Sequence, residues 1–133
     1  MLSELNFLAI IAAAIGNFVI GGLWYSPALF SKIWQREVKL SDEAIKSANI
    51  PRTFGLAFLA SLIIAFCLAA FIGSETTLAQ GALYGFLAGI GWVAMAMGIN
   101  DLFEQRSVKL YLINAGYHTL SFTAMGAILG LWH

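Results

Sequence analysis

Long apolar stretches alternate with short polar ones along this chain. Residues 5–31, 53–74, 76–100 and 110–133 carry no Asp, Glu, Lys or Arg. Each exceeds the roughly 18–20 residues a helix needs to cross a bilayer core of about 30 Å. The runs are continuous rather than alternating in polarity, which excludes transmembrane β-strands. The pattern predicts an all-α fold: a four-helix transmembrane bundle forming one domain over 1–133, with helices near 5–27, 52–73, 78–100 and 110–132. Pro27 ends or kinks the first helix, because it has no N–H and pushes Ser26 out of the α region. Pro51 suits the first turn of the second. Between them lies the only substantial loop. There Ser41 precedes Asp42 and Glu43, and Val38, Leu40, Ile45 and Ala48 form a thin apolar face, which predicts a short amphipathic helix on the membrane surface.

Composition sharpens the picture. Of 133 residues, 60% are hydrophobic and 11% charged, against roughly a quarter charged in a soluble domain. Lipid is therefore the expected surroundings. Glu4 and the lack of a basic N-terminal segment argue against a cleaved signal, so the first run is expected to be a retained span. Lys32, Arg36, Lys39, Lys46 and Arg52 lie between the first and second helices, and Arg106 and Lys109 between the third and fourth. The positive-inside rule makes 31–51 and 101–109 cytoplasmic and puts both termini outside. This bias also argues against a dual-topology protein. Cys67 is the only cysteine and reads as a small packing residue.

Helices in lipid associate through close packing. Small residues recur at every fourth position: Ala9, Ala13, Asn17 and Gly21; Ala57, Ser61, Ala65, Ala69 and Gly73; Gly81, Gly85 and Gly89; Ala115, Thr119, Thr123 and Ala127. This spacing places each set on one helix face. The glycine set marks the face of the third helix as a central one. A homo-oligomer is expected, because so short a chain encloses little volume.

Polar groups inside hydrocarbon turn to the bundle interior or to a cavity. Asn17 lies mid-helix, and Asn114, Tyr117, His118 and Ser121 share a face of the fourth helix. Asn100 and Asp101 close the third helix at the same level, and Trp24, Tyr25 and Ser26 close the first. Trp24 and Tyr25 read as an aromatic belt, while Pro27 frees carbonyls around Leu23 that need partners. Asn17, Trp24, Tyr25, Ser26, Asn100, Asp101, Asn114, Tyr117 and His118 are thus the candidate ligand-binding residues. In one reading they bond between helices and set the register. In the other they line an inward-facing cavity that binds a small ligand or relays protons through His118. The first makes the protein a structural or partner- and ligand-binding membrane module, the second a small oligomeric transporter or channel.

No enzyme is expected. The spans hold no paired carboxylates, no Ser-His-Asp set, no phosphate-binding glycine loop and no cysteine pair. Asp101 is expected to pair with Arg106 or Lys109 rather than act on His118. Neither a metal nor a cofactor is expected, since Cys67 and His118 lack convergent ligands and His118 and His133 lie at different depths. The basic residues are few and interleaved with acids, which argues against nucleic acid.

The ending of the first helix, with Gly21, Trp24, Tyr25, Ser26, Pro27, Leu29, Phe30 and Trp34, resembles the signature of the domain of unknown function 1761 family. So do the Ser-Asp-Glu loop and the stretch from Leu102 to Trp132. The resemblance covers nearly the whole chain. It implies a small four-helix protein of the bacterial cytoplasmic membrane and no activity. Small multidrug resistance transporters are of similar size, but their hallmark is an embedded glutamate in the first helix. Here Asn17 holds the middle of that helix and cannot exchange protons.

Overall fold

In the computed structural model, which describes residues 5–132, the chain is helical, with no strand among the described residues. The elements are α1 (Phe7–Trp24), α2 (Ser31–Val38), α3 (Asp42–Lys46), α4 (Ile50–Ile72), α5 (Leu78–Ala88), a π-helical turn (Gly89–Val93), α6 (Ala94–Glu104) and α7 (Val108–Leu131). Side-chain caps set most starts. Asn6, Ser41, Asn49, Thr77 and Ser107 each accept from a backbone N–H three residues on, satisfying a donor the helix leaves open. Gln80 completes a capping box by accepting from the Thr77 N–H at 3.1 Å.

Three helices are long and apolar enough to cross a membrane. They are Phe7–Trp24, Ile50–Ile72 and Leu78–Glu104, with mean hydropathy 2.1, 2.6 and 1.7. The last runs unbroken through α5, the π turn and α6, so it extends four residues past Asn100. The fourth expected span differs. α7 has the length, at 24 residues, but not the apolarity. Lys109, Asn114, Tyr117, His118, Thr119, Ser121 and Thr123 all lie in it.

The first connection holds two short helices where one was expected. Ser41 caps α3, but Lys39 adopts a left-handed conformation (φ 61°) and separates α3 from α2. The stronger amphipathic segment is α2, whose Trp34 ring stands 6.0 Å from Tyr25.

Helix α7 is the centre of the assembly. It packs antiparallel against both α1 and α5, α4 packs on α1, and the consecutive helices α4 and α5 barely touch. The core combines Ala9, Ala13 and Ala14 of α1, Ala65, Leu68 and Ala69 of α4, and Met125 and Leu129 of α7. Glycines let α5 meet α7 at backbone distance. A methyl on Gly81 would overlap the Gly126 carbonyl, one on Gly85 the Phe122 carbonyl, and one on Gly89 would stand 3.0 Å from the Thr119 Cα. The glycine face of the third span is thus tightly packed as expected, and the helix it packs against, α7, is the one at the centre. The reason is reciprocal: Gly126 and Gly130 form a small-residue pair on α7 that faces α5.

Candidate functional site

Asn17 sits on the face of α1 that meets both α4 and α7, and it is buried. Its amide joins three helices. The nitrogen donates to Ser61 Oγ of α4 at 2.6 Å. The oxygen accepts from Tyr117 Oη of α7 at 2.7 Å and from Ser121 Oγ. Ser61 in turn donates to the Ala57 carbonyl at 2.9 Å. Gly21, one turn along, makes room for Tyr117: a methyl there would be 3.1 Å from its hydroxyl oxygen.

Two more bonds continue this seam toward the end of α1. Tyr25 Oη donates to Asn114 Oδ1 at 2.7 Å, and Trp24 Nε1 donates to the Ile113 carbonyl at 2.8 Å. Gly116 accommodates the Trp24 ring, since a methyl there would be 3.1 Å from it. Trp24 and Tyr25 therefore turn toward α7 and do not act as a simple outward belt. The two tyrosine rings meet edge to face, with centroids 5.4 Å apart.

Beside this seam lies a groove of about 500 Å³ between α1 and α4. Phe18, Gly22, Phe54 and Ala57 supply its apolar lining, and Asn17, Tyr25, Thr53, Ser61 and Tyr117 its polar atoms. No charged side chain lines it.

The structure thus brings together Asn17, Trp24, Tyr25, Asn114 and Tyr117. The others lie apart. Ser26 Oγ donates at 2.7 Å to the Leu23 carbonyl, which also accepts from the Ser26 N–H. The carbonyl that Pro27 was expected to leave loose is satisfied locally, and the chain re-enters a helix at Ser31. Asn100 is exposed on α6. His118 is half-buried beside Tyr117, with ring centroids 4.8 Å apart, and has no side-chain hydrogen bond among the described residues. It begins about 15 Å along α7 from Val108, at a 1.5 Å rise per residue, well beyond the level of Asp101. The expected pairing of Asp101 with Arg106 or Lys109 does not form among the described residues. Arg106 Nε bonds Glu104 Oε1 at 2.8 Å, and this neighbouring carboxylate raises the guanidinium further above its ordinary value.

In the sequence Ser61 reads only as part of the small-residue stripe of α4, yet it is the α4 anchor of this network. The signal was present: counted from the ends of their helices, Ser61 and Asn17 have similar depths in antiparallel neighbours. The Gly126–Gly130 pair was likewise visible as a four-residue repeat. No group of three metal-ligating side chains converges among the described residues.

No curated protein and no solved structure matches this chain. A family model does match, over residues 8–130, with the description "Protein of unknown function (DUF1761)". The match spans both the tryptophan-tyrosine end of α1 and the polar face of α7, and the chain belongs to the DUF1761 family.

Proposed function

We propose that this protein is a non-catalytic four-helix membrane module that binds a small uncharged amphipathic molecule in the groove between α1 and α4. The observation that carries the reading is the groove itself: about 500 Å³, largely apolar, with hydroxyl and amide atoms but no charged side chain in its lining. A site of that kind suits a ligand with an apolar body and one hydroxyl or carbonyl group. The network behind the wall is already bonded, so it holds the helices in register and leaves the groove shape fixed.

The fourth span is α7. Asn114, Tyr117 and Ser121 face α1, and Gly126 and Gly130 face α5, so the helix crosses lipid with these groups turned to its neighbours. All seven basic residues lie in or beside the connections at one end, which favours a cytoplasmic location for that end and outside termini. The family resemblance favours a bacterial inner membrane. The small-residue faces of α1, α4, α5 and α7 are engaged within the chain, so homo-oligomerisation draws no support from them. A mass measured in nanodiscs decides it.

Transport coupled to protons has less support. The groove has no carboxylate, and Asn17 is engaged on both amide atoms. The ligand reading is tested by thermal unfolding in detergent with and without a monoacylglycerol. The expected result is a higher midpoint that Ala57→Leu, which fills the groove, abolishes. An unchanged midpoint for the unsubstituted chain removes the reading.

A further inference from the structure

A second pocket, of about 450 Å³, lies at the turn between α6 and α7 and shares no lining residue with the groove. Its walls are mostly apolar, from Met95, Ile99, Leu102 and Val108. Asp101 supplies the carboxylate and Arg106 stands among the lining residues. Asp101 is unusual in two ways. Its Oδ2 is sealed from solvent, and that oxygen has no hydrogen-bond partner among the described residues. Arg106 senses the Asp101 charge, but its own bond goes to Glu104. With Oδ2 sealed, a cation entering the pocket meets this carboxylate at its other oxygen, and an N–H donor there stabilises a charge that has no bonded partner.

The surroundings say where such a cation comes from. Phe103, Leu102 and Val108 are 85%, 78% and 72% exposed, the most exposed of the large apolar side chains described. Leu102 and Val108 line this pocket, and Phe103 follows Leu102 in the chain where the span Leu78–Glu104 ends. The end of a span is the level of lipid headgroups.

We propose that this pocket binds the headgroup of a zwitterionic lipid bearing a primary ammonium and a phosphate. The ammonium donates to Asp101, the phosphate lies toward Arg106, and the acyl chains cover Leu102, Phe103 and Val108. Headgroup chemistry narrows the choice. A quaternary ammonium has the same charge but no N–H to donate. A headgroup with phosphate and no ammonium brings its negative charge to the Asp101 carboxylate. Phosphatidylethanolamine satisfies both ends. The inference rests on the membrane reading but not on the groove, so the two ligand sites fail separately.

The test is native mass spectrometry of the full chain released from micelles containing equal amounts of phosphatidylethanolamine, phosphatidylcholine and phosphatidylglycerol with identical acyl chains. The expected result is retention of phosphatidylethanolamine about tenfold above the other two, the scale of one charge-assisted hydrogen bond. Asp101→Asn is expected to erase that preference, and Asp42→Asn on α3 to keep it. Stepwise N-methylation of the lipid makes the same measurement on the unsubstituted protein, with retention falling at each methyl. Equal retention across the methylation series overturns the proposal. So does a preference that survives in a folded Asp101→Asn variant.

Discussion

Helix α7 meets its two main neighbours by opposite means. Against α5 the contact is backbone on backbone. Gly81, Gly85 and Gly89 come so close to Gly126, Phe122 and Thr119 that an added methyl would collide with main-chain atoms at the first two. Against α1 the contact is a line of side-chain bonds from Ser121 and Tyr117 at Asn17 to Asn114 at Tyr25. The first gains dispersion energy from a short interaxial distance and tolerates no added volume. The second sets register through a few directional bonds, each worth well under 1 kcal/mol on average in a membrane. One seam therefore resists substitution by volume, the other by chemistry.

The largest expected effect tests the glycine seam. Gly85→Ala puts a methyl into the Phe122 carbonyl, which is backbone and cannot rotate away. The expected loss is about 3 kcal/mol, the upper range for overpacking, read by denaturant unfolding in mixed micelles. Gly55→Ala on α4, where a methyl meets nothing within 4 Å, is expected to stay within about 0.5 kcal/mol. Similar losses at the two positions would mean that close approach is not what holds α5 to α7.

The polar seam is expected to break more gently. Asn17→Leu removes the side-chain acceptor of Tyr117 and Ser121; Tyr117 keeps the residue-17 carbonyl and Ser61 the Ala57 carbonyl, while Ser121 loses its partner in an apolar centre. The expected cost is about 1–2 kcal/mol, measured in the same assay. A loss equal to that of Gly85→Ala would make the polar seam the stronger one. The smallest effect belongs to Tyr25→Phe. It deletes one bond to Asn114 at the half-buried end of α1 and is expected to cost about 0.6 kcal/mol. A double-mutant cycle with Asn114→Ala isolates that bond; additive losses would show that it contributes nothing.

Legibility in the sequence follows the same division. The glycine spacing on α5 announced a tight face, because a four-residue repeat of small side chains has one geometric consequence on any helix. Which helix would fill that face was not legible, since α1, α4 and α7 all present small-residue repeats. Asn17, Tyr117 and Asn114 were recognisable as inward-facing from their polarity alone. Asn100 was not distinguishable from them by that argument, and it lies exposed on α6, because the third helix runs on to Glu104 and carries Asn100 on its surface. Ser61 was hidden among alanines for the opposite reason: a serine inside a small-residue stripe reads as packing until its partner across the interface is known.

The charge and hydropathy pattern by itself determined that the chain is helical, because a long uncharged run has few other folded forms; it read all four runs as spans, and the helices of three of them are long and apolar enough to cross a membrane. It also marked α7 as polar on one face. Only the tertiary structure decided that this helix stands at the centre, that Trp24 and Tyr25 bond to it rather than face outward, and that Arg106 pairs with Glu104 while the Asp101 carboxylate has no bonded partner among the described residues. Those outcomes depend on helix rotation and on a few ångströms of interaxial distance, and residue order constrains neither until the neighbouring helices are in place.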